Sequence, residues 1–219
     1  MTPSDAPLPP AEPDVADSPP VGSIPDRLVD GELEDLSLRG ANLSTRDARG
    51  LTVRDAVFDE IDLSGCVMTR ARLRDMIVRD ADGATVHIDE AELDRVRFER
   101  SRLTGAVFAG ARLEDVSFTG CRLDLCNLRF ATLERVRFEG CAMREADLQG
   151  VRCSSVEFRD CELTEVIWAR AELERTELRG CDLTGSTGLE GLRGVRMASD
   201  DVVRSIYEIA QAAGIRIVD

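Results

Sequence analysis

Lysine is absent from this 219-residue chain, and all 28 basic residues are arginine. Aromatic residues are scarce, with seven Phe, one Trp and one Tyr, and no proline follows Pro25. Aromatic side chains normally fill a large share of a globular core, so the interior is expected to be narrow. No apolar run reaches the ~20 residues of a membrane-spanning helix, and the N-terminus lacks the apolar region of a signal peptide. We therefore expect a cytoplasmic protein that does not associate with a membrane.

The chain also lacks the residues that most catalytic sites use. His87 is its single histidine, so no second imidazole is available as a base for the Ser and Thr hydroxyls. No Cys or Asp group around His87 has the spacing of metal ligands, and no glycine loop has the spacing of a phosphate-binding loop. We expect neither an enzyme nor a bound cofactor or metal.

Acidic residues are in excess. Asp and Glu number 42, and the net charge is −14, which disfavours direct binding to nucleic acid or to an anionic membrane. The seven cysteines are odd in number, and cytosolic thiols stay reduced, so a disulfide framework is not expected. Contact with another protein is the class of function that these exclusions leave.

A five-residue repeat fills residues 31–185 without an insertion or a deletion. The first residue of each line is small or β-branched, the third is mostly large and apolar, and the others are mostly polar, as in the line that begins Ala41-Asn42-Leu43. A period of five fits neither a helix nor a flat strand. It predicts a short extended segment followed by a corner, where a glycine such as Gly40 supplies unusual dihedral angles.

A second period, of 20 residues, places like side chains in columns. Four pentapeptides therefore complete one coil, and adjacent coils are expected to hydrogen-bond across ~4.8 Å. A buried thiol behaves as a small apolar group, so the cysteine column is interpreted as packing rather than as a redox or metal site. The two clearest columns are Phe58, Phe98, Phe118, Phe138 and Phe158, and Cys121, Cys141, Cys161 and Cys181.

The chain resembles the pentapeptide repeat family, whose members repeat Ala-(Asp/Asn)-Leu-X-X. The resemblance covers residues 31–185 and implies an all-β solenoid, a right-handed quadrilateral β-helix, here of about eight coils. Two lines depart from the repeat. Gly83 at a third position leaves the core short of a side chain, and Arg46 at a first position is expected near the open end of the rod.

The repeat divides the chain into four parts. Residues 1–23 are rich in Pro and Asp and are expected to be a disordered tail. Residues 24–30 supply apolar groups that would cover the open N-terminal end. Residues 31–185 form the β-helix, and residues 186–219 form a C-terminal loop and a capping helix.

The predicted C-terminal helix carries a wide apolar stripe. A solenoid needs a cap over its last coil, and we expect the stripe to provide it. The stripe also suits contact with a second copy, because relatives in the family it resembles dimerise through such C-terminal elements. Its residues are Val202, Val203, Ile206, Ile209, Ala210 and Ala213.

Two functions remain open. The first is a non-catalytic scaffold that binds a protein through the β-helix surface. The second follows from the resemblance, because some family members bind DNA gyrase as mimics of duplex DNA and protect it from quinolones or other topoisomerase poisons. Residues 31–185 contain 31 acidic residues and 23 interspersed arginines, which gives a net charge of −8. Duplex DNA of similar length, ~37 Å, would carry roughly 22 negative charges. This mixture weakens the mimic hypothesis.

One face of the predicted rod is less polar than the other three. A cluster of exposed apolar groups is typical of a binding surface, but the same face could serve as a resting place for residues 1–30. Its apolar residues are Val67, Val107 and Ile167, with Leu125 and Phe130 at nearby corners.

Overall fold

The computed structural model describes residues 6–16 and 19–216. Its repeat region is a stack of parallel coils, because strands of successive coils pair in register. Glu32 pairs with Thr52 and Leu33 pairs with Val53, a step of 20 residues in each case. The expected β-solenoid of about eight turns, with a short helical region at its C-terminal end, is confirmed.

Within the described residues, one sheet contains ten strands. They pair in the order β1-β2-β3-β4-β5-β6-β7-β9-β10, and β8 also pairs with β7. The strands are β1 (Glu32–Arg39), β2 (Thr52–Asp59), β3 (Arg72–Arg79), β4 (Glu92–Glu99), β5 (Arg112–Thr119), β6 (Thr132–Glu139), β7 (Arg152–Arg159), β8 (Glu172–Glu174), β9 (Glu177–Arg179) and β10 (Arg196–Met197).

Each coil has four sides, which we call faces 1 to 4. Face 1 contains residues 31–35 and their counterparts every 20 residues, and faces 2, 3 and 4 begin in the same way at residues 36, 41 and 46. The long strands run along faces 1 and 2. On faces 3 and 4, successive coils are joined by isolated β-bridges instead of longer strands. The fifth residue of each line has a positive φ, 60° at Gly40 and 51° at Asp75. Glycine adopts this left-handed conformation freely and Asp tolerates it. Fifteen of the 31 corners are neither Gly nor Asp, among them Leu125 and Phe130, and there the pairing of the coils imposes the conformation.

The interior is built from columns of identical side chains. The rings of Phe98, Phe118, Phe138 and Phe158 stack with centroids 4.9 Å apart and planes within 5° of parallel. Phe58 is buried in the same column, but Val78 separates it from the stacked rings.

The cysteine column lies beside the phenylalanine column. Each thiol points at a phenylalanine carbonyl, and Cys141 Sγ lies 3.4 Å from the carbonyl oxygen of Phe118. Cys121, Cys161 and Cys181 make the equivalent contact at 3.5 Å. All seven cysteines are buried free thiols, so the column contributes packing and weak hydrogen bonds.

The missing side chain at Gly83 leaves no hole in the core. A Cβ atom at Gly83 would lie 2.8 Å from Cδ2 of Leu103, the residue at the same position of the next coil. Leu103 therefore fills the space that the sequence suggested would be empty.

The N-terminal tail differs from the sequence expectation. The composition of residues 1–23 predicts disorder, and residues 1–5 and 17–18 of this segment lie outside the described residues. Residues 6–16 lie extended along the corner between faces 1 and 2. The N–H of Ala11 donates to Asp115 and the N–H of Asp14 donates to Asp75. Few apolar groups are available to hold this segment, and backbone hydrogen bonds to carboxylates hold it instead.

Residues 19–30 close the N-terminal end of the rod. Val21 bridges to Ser37 of the first coil, and Leu28 is buried. Arg46, half-buried near this end, donates to the carbonyl oxygens of Pro25 and Asp26. The arginine at a core position of the repeat is therefore used to fasten the cap.

The C-terminal end is capped differently from the sequence expectation. A 3₁₀ helix (Leu189–Leu192) and β10 cover the last coil, with Leu189 buried and Leu192, Val195 and Met197 against the core. The predicted helix is divided at Ser205 into α1 (Ser199–Arg204) and α2 (Ile206–Ala212).

The apolar stripe of these helices does not cover the last coil as expected. Val202, Val203 and Ile206 are 40%, 68% and 53% exposed, whereas Asp201 and Ser205 are buried. Asp201 accepts a hydrogen bond from the N–H of Gly180, which turns the polar side of α1 toward the rod. The second half of the stripe consists of Ile209, Ala210 and Ala213, on α2 and directly after it. Ile209 and Ala213 line a groove together with Leu189, Leu192 and Met197.

Candidate interaction surface

The four faces of the solenoid differ in charge. Within residues 31–185, face 1 carries 12 acidic and 8 basic side chains, whereas face 4 carries four acidic and five basic ones. Face 3 carries seven acidic and three basic side chains, so faces 3 and 4 have about the same density of charge, and both are less charged than faces 1 and 2. Since the centre of a protein interface is depleted in charged residues, these two faces are better suited to become buried against a partner.

Many of the acidic side chains are paired with an arginine one coil away. Both oxygens of Asp75 accept hydrogen bonds from Arg95, each at 2.6 Å, and Asp115 is held by Arg135 at 2.8 and 2.9 Å. Burial raises the pKa of both carboxyls, but the arginines and the N–H groups of the tail outweigh it, so each pKa is lower than that of a free Asp. These charges are fixed and compensated, and so they do not form a free anionic surface.

Face 4 holds a local apolar patch. Leu125, the last residue of face 3, and Phe130, the last residue of face 4, stand at the two corners that flank face 4 in one coil, and each is 55% exposed. Asn127 lies between them and bridges to Val107 of the preceding coil. We call Val107, Leu125 and Phe130 the face 4 patch.

Phe130 is held in place by its neighbours. The guanidinium carbon of Arg129 lies 5.5 Å from the ring centroid, within the range of a cation–π contact. A Cβ atom at Gly150 would lie 2.7 Å from Phe130 Cδ1, so the absence of a side chain there lets the ring lie flat on the next coil. The ring is thus presented to solvent in one orientation.

The other two apolar residues expected on this surface stand apart from the patch. Val67 is half-buried, and His87 lies between it and Val107. Ile167 is 38% exposed, and Asn127 and Asp147 separate it from Val107. The five apolar residues predicted for this surface therefore form one patch and two isolated positions.

The sequence left open whether residues 1–30 rest on face 4. The structure answers this for the described part of the tail. Residues 6–16 run along the corner between faces 1 and 2, which is diagonally opposite the corner at which Leu125 stands. Face 4 is not covered by this segment.

Sequence reasoning missed the place where the tail lies. The tail contacts Asp75 and Asp115 through its N–H groups, and its Glu12 forms an ion pair with Arg97. The signal that could have revealed it is the spacing of Pro7, Pro10 and Pro13, because three residues complete one turn of a polyproline II helix.

No catalytic or metal-binding cluster stands out in the described part of the chain. No group of three or more His, Cys, Asp or Glu residues there could hold a metal ion. His87 is about half exposed, and its Nδ1 lies 3.6 Å from Asp89 Oδ1. Burial raises the pKa of Cys66 to about 11 and that of Cys153 further still, so these thiols stay protonated at neutral pH.

None of the described helices is long and apolar enough to cross a bilayer.

Residues 91–168 and 111–187 match a family model described as a pentapeptide repeat region. This chain is a pentapeptide repeat protein. The match agrees with the five-residue corners and the 20-residue coils seen in the structure. No match was found among curated proteins.

Solved structures of other pentapeptide repeat proteins are similar to this one. HetL, involved in heterocyst differentiation regulation in the cyanobacterium Nostoc sp. strain PCC 7120, is 19% identical, with 80% of this chain and 93% of HetL covered and a TM-score of 0.39. A trypsin-treated variant of QnrB1, a plasmid-mediated fluoroquinolone resistance protein, is 18% identical, with coverages of 88% and 94% and a TM-score of 0.42. A protein of the Arabidopsis thaliana thylakoid lumen is 18% identical, with coverages of 78% and 77% and a TM-score of 0.27.

Proposed function

We propose that this pentapeptide repeat protein is a non-catalytic scaffold that binds another protein through face 4. The observation that carries the proposal is the face 4 patch, in which Leu125 and Phe130 are each 55% exposed and Val107 is half-buried. The patch lies on one of the two less charged faces, at a distance from the described part of the protein's own tail. Aromatic residues and arginine are enriched at the energetic centres of interfaces, and Phe130 with Arg129 supplies both.

The rigidity of the solenoid supports the same proposal. Asn127 is bridged to both neighbouring coils, to Val107 on one side and to Asp147 on the other. Little backbone order has to be gained when a partner binds such a surface, so more of the contact energy appears as affinity.

Affinity capture with matched variants tests the proposal. The double variant Leu125→Asp with Phe130→Asp places two charges on the patch, whereas Arg122→Asp makes a similar change on face 3 of the same coil. We expect the wild type and Arg122→Asp to retain the same partner from the native host and the double variant to lose it. Equal retention by all three proteins would overturn the assignment of face 4.

The alternative function, binding of DNA gyrase as a mimic of duplex DNA, receives less support. A mimic requires a line of negative charge facing solvent, and here Asp80 pairs with Arg100 and Asp82 with Arg102, besides the buried pairs at the tail. We expect the purified protein to leave gyrase supercoiling unchanged and to give no protection from a quinolone. Inhibition of supercoiling at stoichiometric concentration would favour the alternative.

We further propose a cytoplasmic location and self-association of two copies through the C-terminal helices. The support for self-association is the exposure of Val202, Val203 and Ile206 on one side of α1 and α2. Apolar side chains clustered in this way gain stability when a second surface covers them.

A further inference from the structure

We propose that the corner between faces 1 and 2 is a docking groove for extended proline-rich segments, and that residues 6–16 of the chain occupy it as an intramolecular ligand. The partner that fits is a segment in the polyproline II conformation with a proline at every third position. The proposal concerns the corner opposite the face 4 patch and does not depend on the proposed function.

The spacing of the N–H donors along the tail matches the spacing of the carboxylate acceptors along the rod. The N–H of Ala11 donates to Asp115 Oδ1 at 2.9 Å and the N–H of Asp14 donates to Asp75 Oδ1 at 3.0 Å. The two donors are three residues apart, which is ~9.3 Å in polyproline II. The two acceptors are two coils apart, which is ~9.6 Å at the spacing of neighbouring strands. One turn of the segment therefore advances by two coils of the rod.

From residue 7 to residue 14 the burial of the tail has the same period. Pro7, Pro10 and Pro13 are half-buried, whereas the residues between them are exposed; the period ends at Val15, which is also half-buried. A polyproline II helix has three residues per turn, so its prolines form one edge, and this edge rests on the solenoid. Proline also fixes this conformation before binding, which lowers the entropy lost on docking.

The two acceptors are prepared for a ligand. Asp75 and Asp115 are 6% and 9% exposed, and each is clamped by the arginine of the following coil through two hydrogen bonds. The clamp keeps the carboxylate ionised and oriented, so that it can accept an N–H from outside the coil. Hydrogen bonds to an ionised acceptor are about twice as strong as neutral ones.

These contacts define what the groove recognises. The residue after a proline must keep its N–H, which Ala11 and Asp14 do, and the side chains at these positions contribute little. Arg97 adds a preference for an acidic side chain two residues after a proline, as at Glu12. The predicted pattern is Pro-x-x-Pro-x-Glu-Pro, a short motif that another protein could carry.

The tethered segment would compete with such a partner. A short flexible tether gives an effective concentration in roughly the millimolar range. An outside segment of the same pattern therefore binds well only to a chain whose own tail has been released.

Proline substitution within the tail tests the proposal in the full-length chain. The double variant Ala11→Pro with Asp14→Pro removes both N–H donors and keeps the polyproline II conformation. Ala16→Pro, at an exposed position of the same segment, is the matched control. The probe is a fluorescein-labelled peptide of residues 6–16, and fluorescence anisotropy measures its binding.

We expect the peptide to bind the double variant at least about tenfold more tightly than the wild type or Ala16→Pro, since two charge-assisted hydrogen bonds hold the tail. A peptide with prolines at positions 11 and 14 should bind none of the three chains. Equal binding of the unaltered peptide to all three chains, or to none, would overturn the proposal.

A second comparison locates the site on the rod. In the chain that carries the two tail prolines, Arg97→Ala should weaken the peptide several-fold by removing the partner of Glu12. Arg137→Ala changes the residue two coils away in the same column, which pairs with Glu157, and should have no effect. Weakening by Arg137→Ala alone would place the peptide elsewhere and contradict the groove.

Discussion

Apolar side chains have opposite environments in the repeat region and in the C-terminal helices. Phe118 and Phe138 are no more than 1% exposed, whereas Val203 and Ile206 are more than half exposed. In the repeat region, each side chain lies against its counterpart one coil away. In the helices, the buried side is the polar one, which includes Asp201. Apolar residues thus specify the rod in one region, and in the other they remain available for contact with a second surface.

The largest expected effect is in the ring stack. Phe138→Ala should lower the free energy of unfolding by about 3–5 kcal/mol, because it removes a fully buried ring and leaves a cavity between two others. Phe130→Ala, at an exposed corner, should change it by less than about 1 kcal/mol. Urea denaturation followed by circular dichroism measures both values. Similar losses in the two variants would contradict the division between interior and surface.

A smaller effect is expected where α1 is fastened to the rod. Asp201 is buried and accepts hydrogen bonds from the N–H of Gly180 and from Arg204. Asp201→Ala should cost about 1–3 kcal/mol, since the N–H of Gly180 loses its partner. Limited proteolysis should then cut within residues 199–212 sooner. Asp200→Ala, at the exposed neighbouring position, is the control, and accelerated cleavage in both variants would argue against a specific role of Asp201.

The smallest effect on stability is expected on the exposed side of the helices. At a concentration where both proteins are monomeric, Val203→Ser with Ile206→Ser should change the free energy of unfolding by less than about 0.5 kcal/mol, because both residues are more than half exposed in the single chain. Light scattering after size exclusion should show two copies for the wild type and one for this variant. Leu125→Ser should leave the mass unchanged. A wild type that is monomeric at high concentration would contradict the proposed contact between copies.

The interior of the rod could be predicted almost completely from the sequence. A period of 20 places Cys121 under Cys141 and Phe118 under Phe138 because the coils are in register, and no other information is needed. The period does not predict how a side chain adjusts to a substitution in the neighbouring coil. Leu103 fills the space at Gly83, and that depends on the rotamer of one side chain.

The two ends and the tail could be predicted only in part. The stripe of the C-terminal helix indicates which residues share a side, but not which side meets the rod, and a hydrogen bond from Gly180 to Asp201 decides that. The composition of the tail indicates little apolar burial. Its position depends instead on N–H groups that match Asp75 and Asp115, and no composition argument registers such a match.

The face 4 patch could be predicted as to residues but not as to shape. Val67, Val107 and Ile167 share one position of the repeat, and the sequence shows that they share a face. The intervening residues His87, Asn127 and Asp147 divide them, so that only Val107 joins Leu125 and Phe130. The surface predicted from one position of the repeat is therefore larger than the continuous apolar patch in the structure.

The central claim is that the solenoid binds a protein partner through face 4, and site-specific photo-crosslinking within one coil tests it most directly. A photoreactive amino acid is placed in turn at Arg112, Ser117, Arg122 and Asn127, which are the equivalent outward positions of faces 1, 2, 3 and 4. In living cells of the native host, the probe at position 127 should give a discrete adduct with a partner protein, and the other three should give much less. Equal adducts from all four positions, or an adduct from another face alone, would contradict the account.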